Sequence, residues 1–542
     1  MPTSMEMQRT YTAGGSPETE SPQQGSKNRV DLVESTEAGI PSPYANIVAS
    51  RLSTAHRDFL MERHGTLELD PIPSMDPADP YNWPSWKKIA NLILVAIHAC
   101  MGTFAAAGII PAYETIAEEF GVTLHQVTYL TSLQIAILGG APLFWKPLSN
   151  RYGRRPIFLL SLICSLVCNV GCAKSPDYAS TAACRALQAF FISPASAIGS
   201  GVVMETFFKK DRAKYMGVWT LLLTLGIPCG PFIFGFVTYR ASYIWIYWVL
   251  AIINGVQFIL YLFLGPETRY IGTNEDPKEP AWKREYLKVR RIDPTPLHWS
   301  EFIKPLGLCF RPCVIVPAAA YAMVFLLSNI LATVEVPQLL QGKFGLNAEQ
   351  LGLQFLGPII GSLIGEQLGG RMSDLWMNTR AKRAQRKPEP EFRLWLSYLG
   401  YACSIVGIIV FLVCTEKAED GKWNVAPIIG IAIGAVGNQL VTTVLITYAV
   451  DCHHEDVSSV GVCITFVRQI WGFLGPFWYV NSELMCAGLA NGYSGFRACS
   501  RTLVSLRALV SAWRLLLESV FCRRLPCSGR DVLFGRQERS SL

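Results

Sequence analysis

From residue 88 onward, long apolar runs alternate with short polar ones. The first series lies at roughly 88–110, 127–145, 156–174, 178–204, 215–237 and 243–265. After a charged stretch, a second follows at roughly 313–335, 351–371, 393–414, 425–450 and 459–480. A helix needs about 20 mostly apolar residues to cross the hydrocarbon core, and these runs are long enough. A soluble core has no need of such repetition. The pattern predicts an all-α membrane protein built as two helical repeats, each nominally of six helices. The first bundle occupies residues 83–265, a polar connector 266–312, and a second bundle with five clear spans 313–480. The spans are numbered 1 to 11 in this order.

Residues 1–82 are polar and rich in Ser, Pro and Glu, which predicts a disordered tail ending in the proline-containing steps from Asp76 to Pro84. No apolar segment near Met1 resembles a cleavable signal, so span 1 is expected to act as the signal anchor. Basic residues gather in alternate loops. Lys146, Arg151, Arg154 and Arg155 follow span 2, Lys209, Lys210, Arg212 and Lys214 follow span 4, and a third basic run follows span 8. Cytosolic loops accumulate Lys and Arg, so these loops, the connector and the amino terminus are expected in the cytosol.

Half of the 542 residues are hydrophobic and 16% are Asp, Glu, Lys or Arg. The net charge of +7 is dispersed in short clusters between apolar runs, which argues against nucleic acid as a partner and leaves the lipid bilayer. The cysteines have neither disulfide nor metal spacing and read as small buried hydrophobes. Asp451-Cys-His-His-Glu-Asp456 holds adjacent metal-ligand types, but without a spaced partner it reads as a solvated turn, and no metal is expected. No nucleotide-binding loop or catalytic constellation is seen, so neither a cofactor nor enzyme activity is expected.

The loop after span 2 reads Lys146-Pro-Leu-Ser-Asn-Arg-Tyr-Gly-Arg-Arg-Pro156. It resembles the G-x-L-x-D-R-x-G-R-R signature of the major facilitator superfamily, with Lys146 at the first glycine and Asn150 at the acid. Gly153 permits a tight reversal and Pro156 suits the first turn of span 3. In the family, the acid faces a helix amino terminus and arginines to close the cytosolic side. Asn150 keeps hydrogen-bonding capacity without the charge, which implies a weaker or differently balanced gate. A degenerate copy, Gly369-Gly-Arg-Met-Ser-Asp-Leu375, follows span 8 and retains the acid as Asp374. The same loop at the same place in both halves supports an internal duplication.

Arg185 in span 4 sits in Cys-Arg-Ala-Leu-Gln-Ala, which is similar to the family's R-x-x-Q-G motif. The resemblance implies a part in proton coupling. The alternative is an interfacial arginine reaching the headgroups. Span 5 contains Gly226-Ile-Pro-Cys-Gly-Pro-Phe-Ile-Phe-Gly235, which resembles the antiporter motif G-x-x-x-G-P-x-x-G-G with Phe234 in place of one closing glycine. Gly226, Gly230, Pro231 and Gly235 read either as that motif or as ordinary close packing. The resemblance covers about residues 82–480 and is closest in flavour to the fungal twelve-span drug–proton antiporters.

It implies exchange of protons for a small organic compound by alternating access across the plasma membrane, performed by a monomer, with spans 1, 4, 7 and 10 lining the cavity. Polar candidates on those spans are His98, Asn329, Asn438 and Gln439. Each could equally be an interhelical packing bond. Glu366, Glu114 and Glu335 are the acids considered for carrying the proton, the last two lying near span ends. Two rivals stay open, an importer on the same fold and a non-transporting relative.

Residues 481–542 are atypical, carrying arginine but no lysine and no uninterrupted apolar run of spanning length. The best twelfth span, Leu503 to Phe521, contains Arg507, Arg514 and Glu518, each costing about 2.5–3.5 kcal/mol at a helix centre. The segment reads as a surface-lying amphipathic helix or as the product of a frame or splice change. The latter is the preferred expectation, and it leaves eleven spans. An epitope tag placed after Leu542 is then expected to be stained on intact cells; staining only after permeabilisation would refute it.

Overall fold

The computed structural model describes residues 52–67, 69–271, 281–286, 291–330, 333, 337–384, 390–452 and 457–489. The expected twelfth span, Glu335 and most of the Asp451–Asp456 turn lie outside the described residues. Among the described residues every regular element is helical. Nine stretches among the described residues are long and apolar enough to cross a membrane: Ser85–Phe120, Leu124–Tyr152, Arg154–Ala173, Tyr178–Thr206, Lys214–Arg240, Ile244–Leu264, Pro312–Ile330, Leu394–Lys417 and Ala426–Val450. These are spans 1–7, 9 and 10.

Span 8, expected as one run, is broken: Ala348–Gln354 is followed by Leu356–Gln367 and then by a π-helical turn, Leu368–Met372. Span 11 belongs to a helix running from Val457 to Leu489. Span 7 also changes pitch, passing from the α-helix Pro312–Val324 into a π-helical turn at Phe325–Ile330.

The described part of the amino-terminal tail, residues 52–67 and 69–82, departs from expectation. Residues 54–64 form an α-helix, with the Ser53 side chain accepting from the His56 backbone N–H and Gly65 closing it in the left-handed region. Further on, Asp79 accepts from Ser74 and Tyr81, and Trp83 Nε1 donates to Glu285 of the connector at 3.0 Å. Local capping and tertiary hydrogen bonds thus order a segment whose composition predicts disorder.

Between spans the packing relies on residues without bulk. A Cβ at Gly407 of span 9 would lie 2.3 Å from the Gly434 nitrogen and 2.7 Å from the Gly430 oxygen of span 10. On the other side of span 10, a Cβ at Gly361 or Gly365 of span 8 would meet the carbonyl oxygens of Ala432 and Val436 at 2.3 and 2.7 Å. Span 10 is therefore held between two glycine ridges. In lipid, where apolar side chains gain little by leaving their surroundings, such close contact supplies much of the helix association. By contrast, no atom lies within 4 Å of a Cβ built at Gly140 of span 2.

Gly407→Ala is expected to force the two backbones apart and lower stability by about 1–3 kcal/mol, as overpacking does. Gly140→Ala should be neutral or stabilising by up to about 1 kcal/mol. Thermal melting of the detergent-purified protein checks both; equal melting temperatures for the two variants would contradict this packing.

Candidate transport site

In the first half, the spans converge on a buried polar network. Arg185, 1% exposed, donates through Nη2 to Gln134 Oε1 of span 2 at 2.5 Å and to the Ala106 carbonyl of span 1 at 3.4 Å. Gln134 Nε2 donates in turn to Gln188 Oε1 at 2.6 Å. Gln188 and Asn254 of span 6 both donate to Ser165 Oγ of span 3, at 3.4 and 2.9 Å. Among the described residues no carboxylate pairs with Arg185, and its Nε has no partner. The guanidinium is held by neutral dipoles, with the Tyr247 hydroxyl beside the amides, and lies inside the bundle instead of reaching towards headgroups.

In the second half, Glu366 of span 8 is 7% exposed. Its Oε2 accepts from Gln439 Nε2 at 2.6 Å and from Thr443 Oγ1 at 3.0 Å, both on span 10. Its Oε1 faces the other half, 3.1 Å from where a Cβ would stand on Gly217 of span 5. The carboxylate therefore sits on the seam between the halves. Further along the same seam is a cleft of about 380 Å³, counting space open to solvent, reached by Pro228 of span 5, Ser328 and Asn329 of span 7 and Ser362 of span 8.

The other candidates scatter. His98 is fully buried and shares a 3.0 Å hydrogen bond with Ser161 of span 3, edge-on to Phe158, so it faces its own half. Asn438 is buried with its Oδ1 unpartnered. Glu114 is exposed on the short helix Tyr113–Phe120 that ends span 1 and accepts from Gln341 Nε2 beyond span 7. That contact, together with the Arg240–Glu349 ion pair at 2.9 Å between spans 5 and 8, links the halves at the face opposite the basic loops.

At the face of the basic loops the contacts are mostly buried. Arg151 pairs with Asp293 and Glu301, Arg154 with Glu205, and Lys146 donates to Ser459 at the start of span 11. Gly153, at φ +97°, turns the chain from span 2 into span 3. Glu267, just beyond span 6, accepts from the backbone nitrogens of Arg154, Arg155 and Arg269 at 2.8, 2.9 and 2.8 Å. Burial pushes its carboxyl above the usual range, and these N–H groups pull it back. Glu267 thus caps span 3 at its positive end. Asn150 is half-buried and enters none of these pairs. Asp374 lies on the helix Ser373–Ala384, but its side chain is outside the described residues.

The span 5 glycines divide their contacts. A Cβ at Gly226 or Gly230 would strike span 1, at Thr103 Oγ1 (2.1 Å) and the Phe104 carbonyl (2.7 Å). One at Gly235 would strike span 8 at the Ala348 carbonyl (2.7 Å), while Pro231 lends its own carbonyl to contact with Gly352. The motif therefore locks span 5 to one helix of each half.

Sequence reasoning missed Gln134, Glu205, Glu267 and Arg468, and quoted Gln188 only as part of the Arg185 motif. Gln134 and Arg468 carried a usable signal, each being a strongly polar residue inside an apolar run. Glu205 and Glu267 lie at span ends, where the chain alone gives no hint of an arginine partner.

The family profile described as Major Facilitator Superfamily matches residues 92–476. Among similar curated proteins, an uncharacterized transporter of Schizosaccharomyces pombe is 24% identical over 415 residues, covering 74% of this chain and 83% of its own. The efflux pump radE of Floropilus chiversii is 26% identical, covering 78% and 80%. The cycloheximide resistance protein of Candida maltosa is 26% identical, covering 73% and 74%.

Substituting Gln134→Leu removes the side-chain acceptor of Arg185 and should cost about 1–3 kcal/mol through an unsatisfied buried cation. Gln134→Glu supplies a counter-charge and should restore stability while reducing transport. A melting temperature unchanged in Gln134→Leu would show that the pair is not a structural element.

Proposed function

Because this chain belongs to the major facilitator superfamily and is a multi-pass transporter of small solutes, we propose that it exports an organic compound in exchange for protons. The observation that carries this reading is Glu366: a buried carboxylate inside span 8, touching donors on span 10 and facing span 5 of the opposite half. A charge at that depth costs several kcal/mol and is retained where it serves a purpose, and rocking of the halves would change its access to water. Protonated, Glu366 has lost its charge and crosses between accessibilities cheaply. Ionised, it is held by Gln439 and Thr443.

Two further observations favour export. The glycines of the antiporter-like motif fix span 5 against both halves, and two similar fungal proteins are named for efflux or drug resistance. The basic loops are assigned to the cytosol and the exposed Arg240–Glu349 face to the outside, in the plasma membrane. One chain contributes both halves and the cleft, which supports a monomer as the working unit. In the bilayer, Arg185 would hold the first half's network in register for coupling.

In vesicles with an imposed pH gradient, Glu366→Gln is expected to lower gradient-driven flux at least tenfold while leaving substrate-for-substrate exchange intact. Full gradient-driven flux in that variant would overturn coupling at Glu366. Co-movement of substrate and protons in the same direction would overturn antiport altogether.

A further inference from the structure

Arg468 has no role in the reading above. It lies eleven residues into the helix that begins at Val457, about 16 Å along it and so near the middle of a ~30 Å hydrocarbon core. It is 6% exposed. Its Nη1 donates to the Tyr321 hydroxyl of span 7 at 3.1 Å, and its guanidinium carbon stands 4.8 Å from the Phe325 ring centre and 5.9 Å from that of Tyr321. Its Nε is buried without a partner. Among the described residues no carboxylate lies within ion-pair distance.

Away from the loops, the charged side chains buried within the described spans are Arg185, Arg468 and Glu366. Glu366 is taken up by Gln439 and Thr443, so, among the described residues, the guanidinium of Arg468 is an uncompensated cation resting on two aromatic rings. A structural arginine is typically fork-paired with a carboxylate. Ring faces and one phenol leave several of its five N–H donors to spare.

The surroundings point to a ligand. Phe325 opens the π-helical turn whose Ser328 and Asn329 reach the cleft, so the guanidinium sits about one turn along span 7 from the cleft lining. Ser328 Oγ is likewise buried and unpartnered. One turn on from Arg468, Gly472 lets span 11 lie close to the same ring: a Cβ there would come within 3.2 Å of Phe325 Cε1, 3.3 Å of Ile135 Cγ2 and 3.5 Å of Ile330 Cγ1. Pitch defects of this kind concentrate at functional sites.

We propose that Arg468 receives the anionic end of the cargo, a carboxylate or phenolate, whose apolar or aromatic body lies along Tyr321 and Phe325 into the cleft. The ligand is cargo only if the exporter reading holds, but binding itself needs no proton gradient. An anion supplies the missing counter-charge in a low-dielectric site, where the attraction is strongest and an uncharged isostere gains little.

The test uses the full chain in detergent and aromatic carboxylates of the naphthoate type, each paired with its primary amide, with binding read by tryptophan fluorescence at constant pH. The unaltered protein is expected to bind the preferred acid at least tenfold more tightly than its amide. Arg468→Gln should bring the two affinities within about twofold by weakening the acid alone, Arg468→Lys should keep part of the preference, and Glu366→Gln should keep all of it. The proposal is overturned if no acid is preferred over its amide in the unaltered protein, if Arg468→Gln weakens both alike, or if Glu366→Gln abolishes the preference. Should Arg468→Gln fail to fold, the ratio in the unaltered protein together with Arg468→Lys decides. Loss of the acid preference leaves proton coupling untouched, and loss of gradient-driven flux leaves this site untouched.

Discussion

The arrangement rests on backbone meeting backbone. With no gain from hiding apolar side chains in an already apolar solvent, helices in a bilayer associate through close contact and a few polar bonds. Here span 10 lies against spans 8 and 9 with carbonyl oxygens at positions that a methyl group would overlap. That proximity is what brings Gln439 and Thr443 onto Glu366. A bulkier interface would hold span 10 further off, and the carboxylate would lose both donors. On span 5, small residues again set the distance, so polar chemistry at the seam follows from packing at the seam.

Charges are handled in two ways. Near the basic loops, Arg151 and Arg154 have acidic partners, Arg155 donates to the Leu262 carbonyl and lies over the Tyr286 ring, and Glu267 serves backbone N–H groups at a helix start. Deep in the bundles the rule changes: Arg185 rests on amides, Arg468 on rings and Glu366 on an amide and a hydroxyl. Fully paired ions there would be rigid and inert. Groups bound by neutral dipoles can exchange partners at lower cost.

Periodicity was enough to locate the helices, because a segment that must cross lipid leaves little choice of residue. It was weaker where local geometry decided. Span 8 reads as one apolar run but breaks after Gln354 and again at Leu368. Residues 54–64 read as tail because their composition is polar, yet Ser53 and Gly65 supply both ends of a helix. At the site, Arg185 and Glu366 stood out as charges in greasy surroundings. Which way His98 faces was not legible, since a helix presents a residue to one neighbour only and sequence alone fixes no rotation. Asn150 illustrates another limit: a motif position announces where a loop lies, while the acids that surround the neighbouring arginines, Glu205 and Glu267, come from more than fifty residues away.

The contacts joining the halves differ sharply between the two faces. Lys146 meets Ser459 of the second half, and Arg151 meets Asp293 and Glu301 of the connector, in sheltered surroundings, whereas the Arg240 side chain is 69% exposed where it meets Glu349. An ion pair in open water contributes little and fades with salt. The two faces are thus a stiff door and a loose one: the energy needed to part the wet face is small, and the dry face offers the greater resistance to opening.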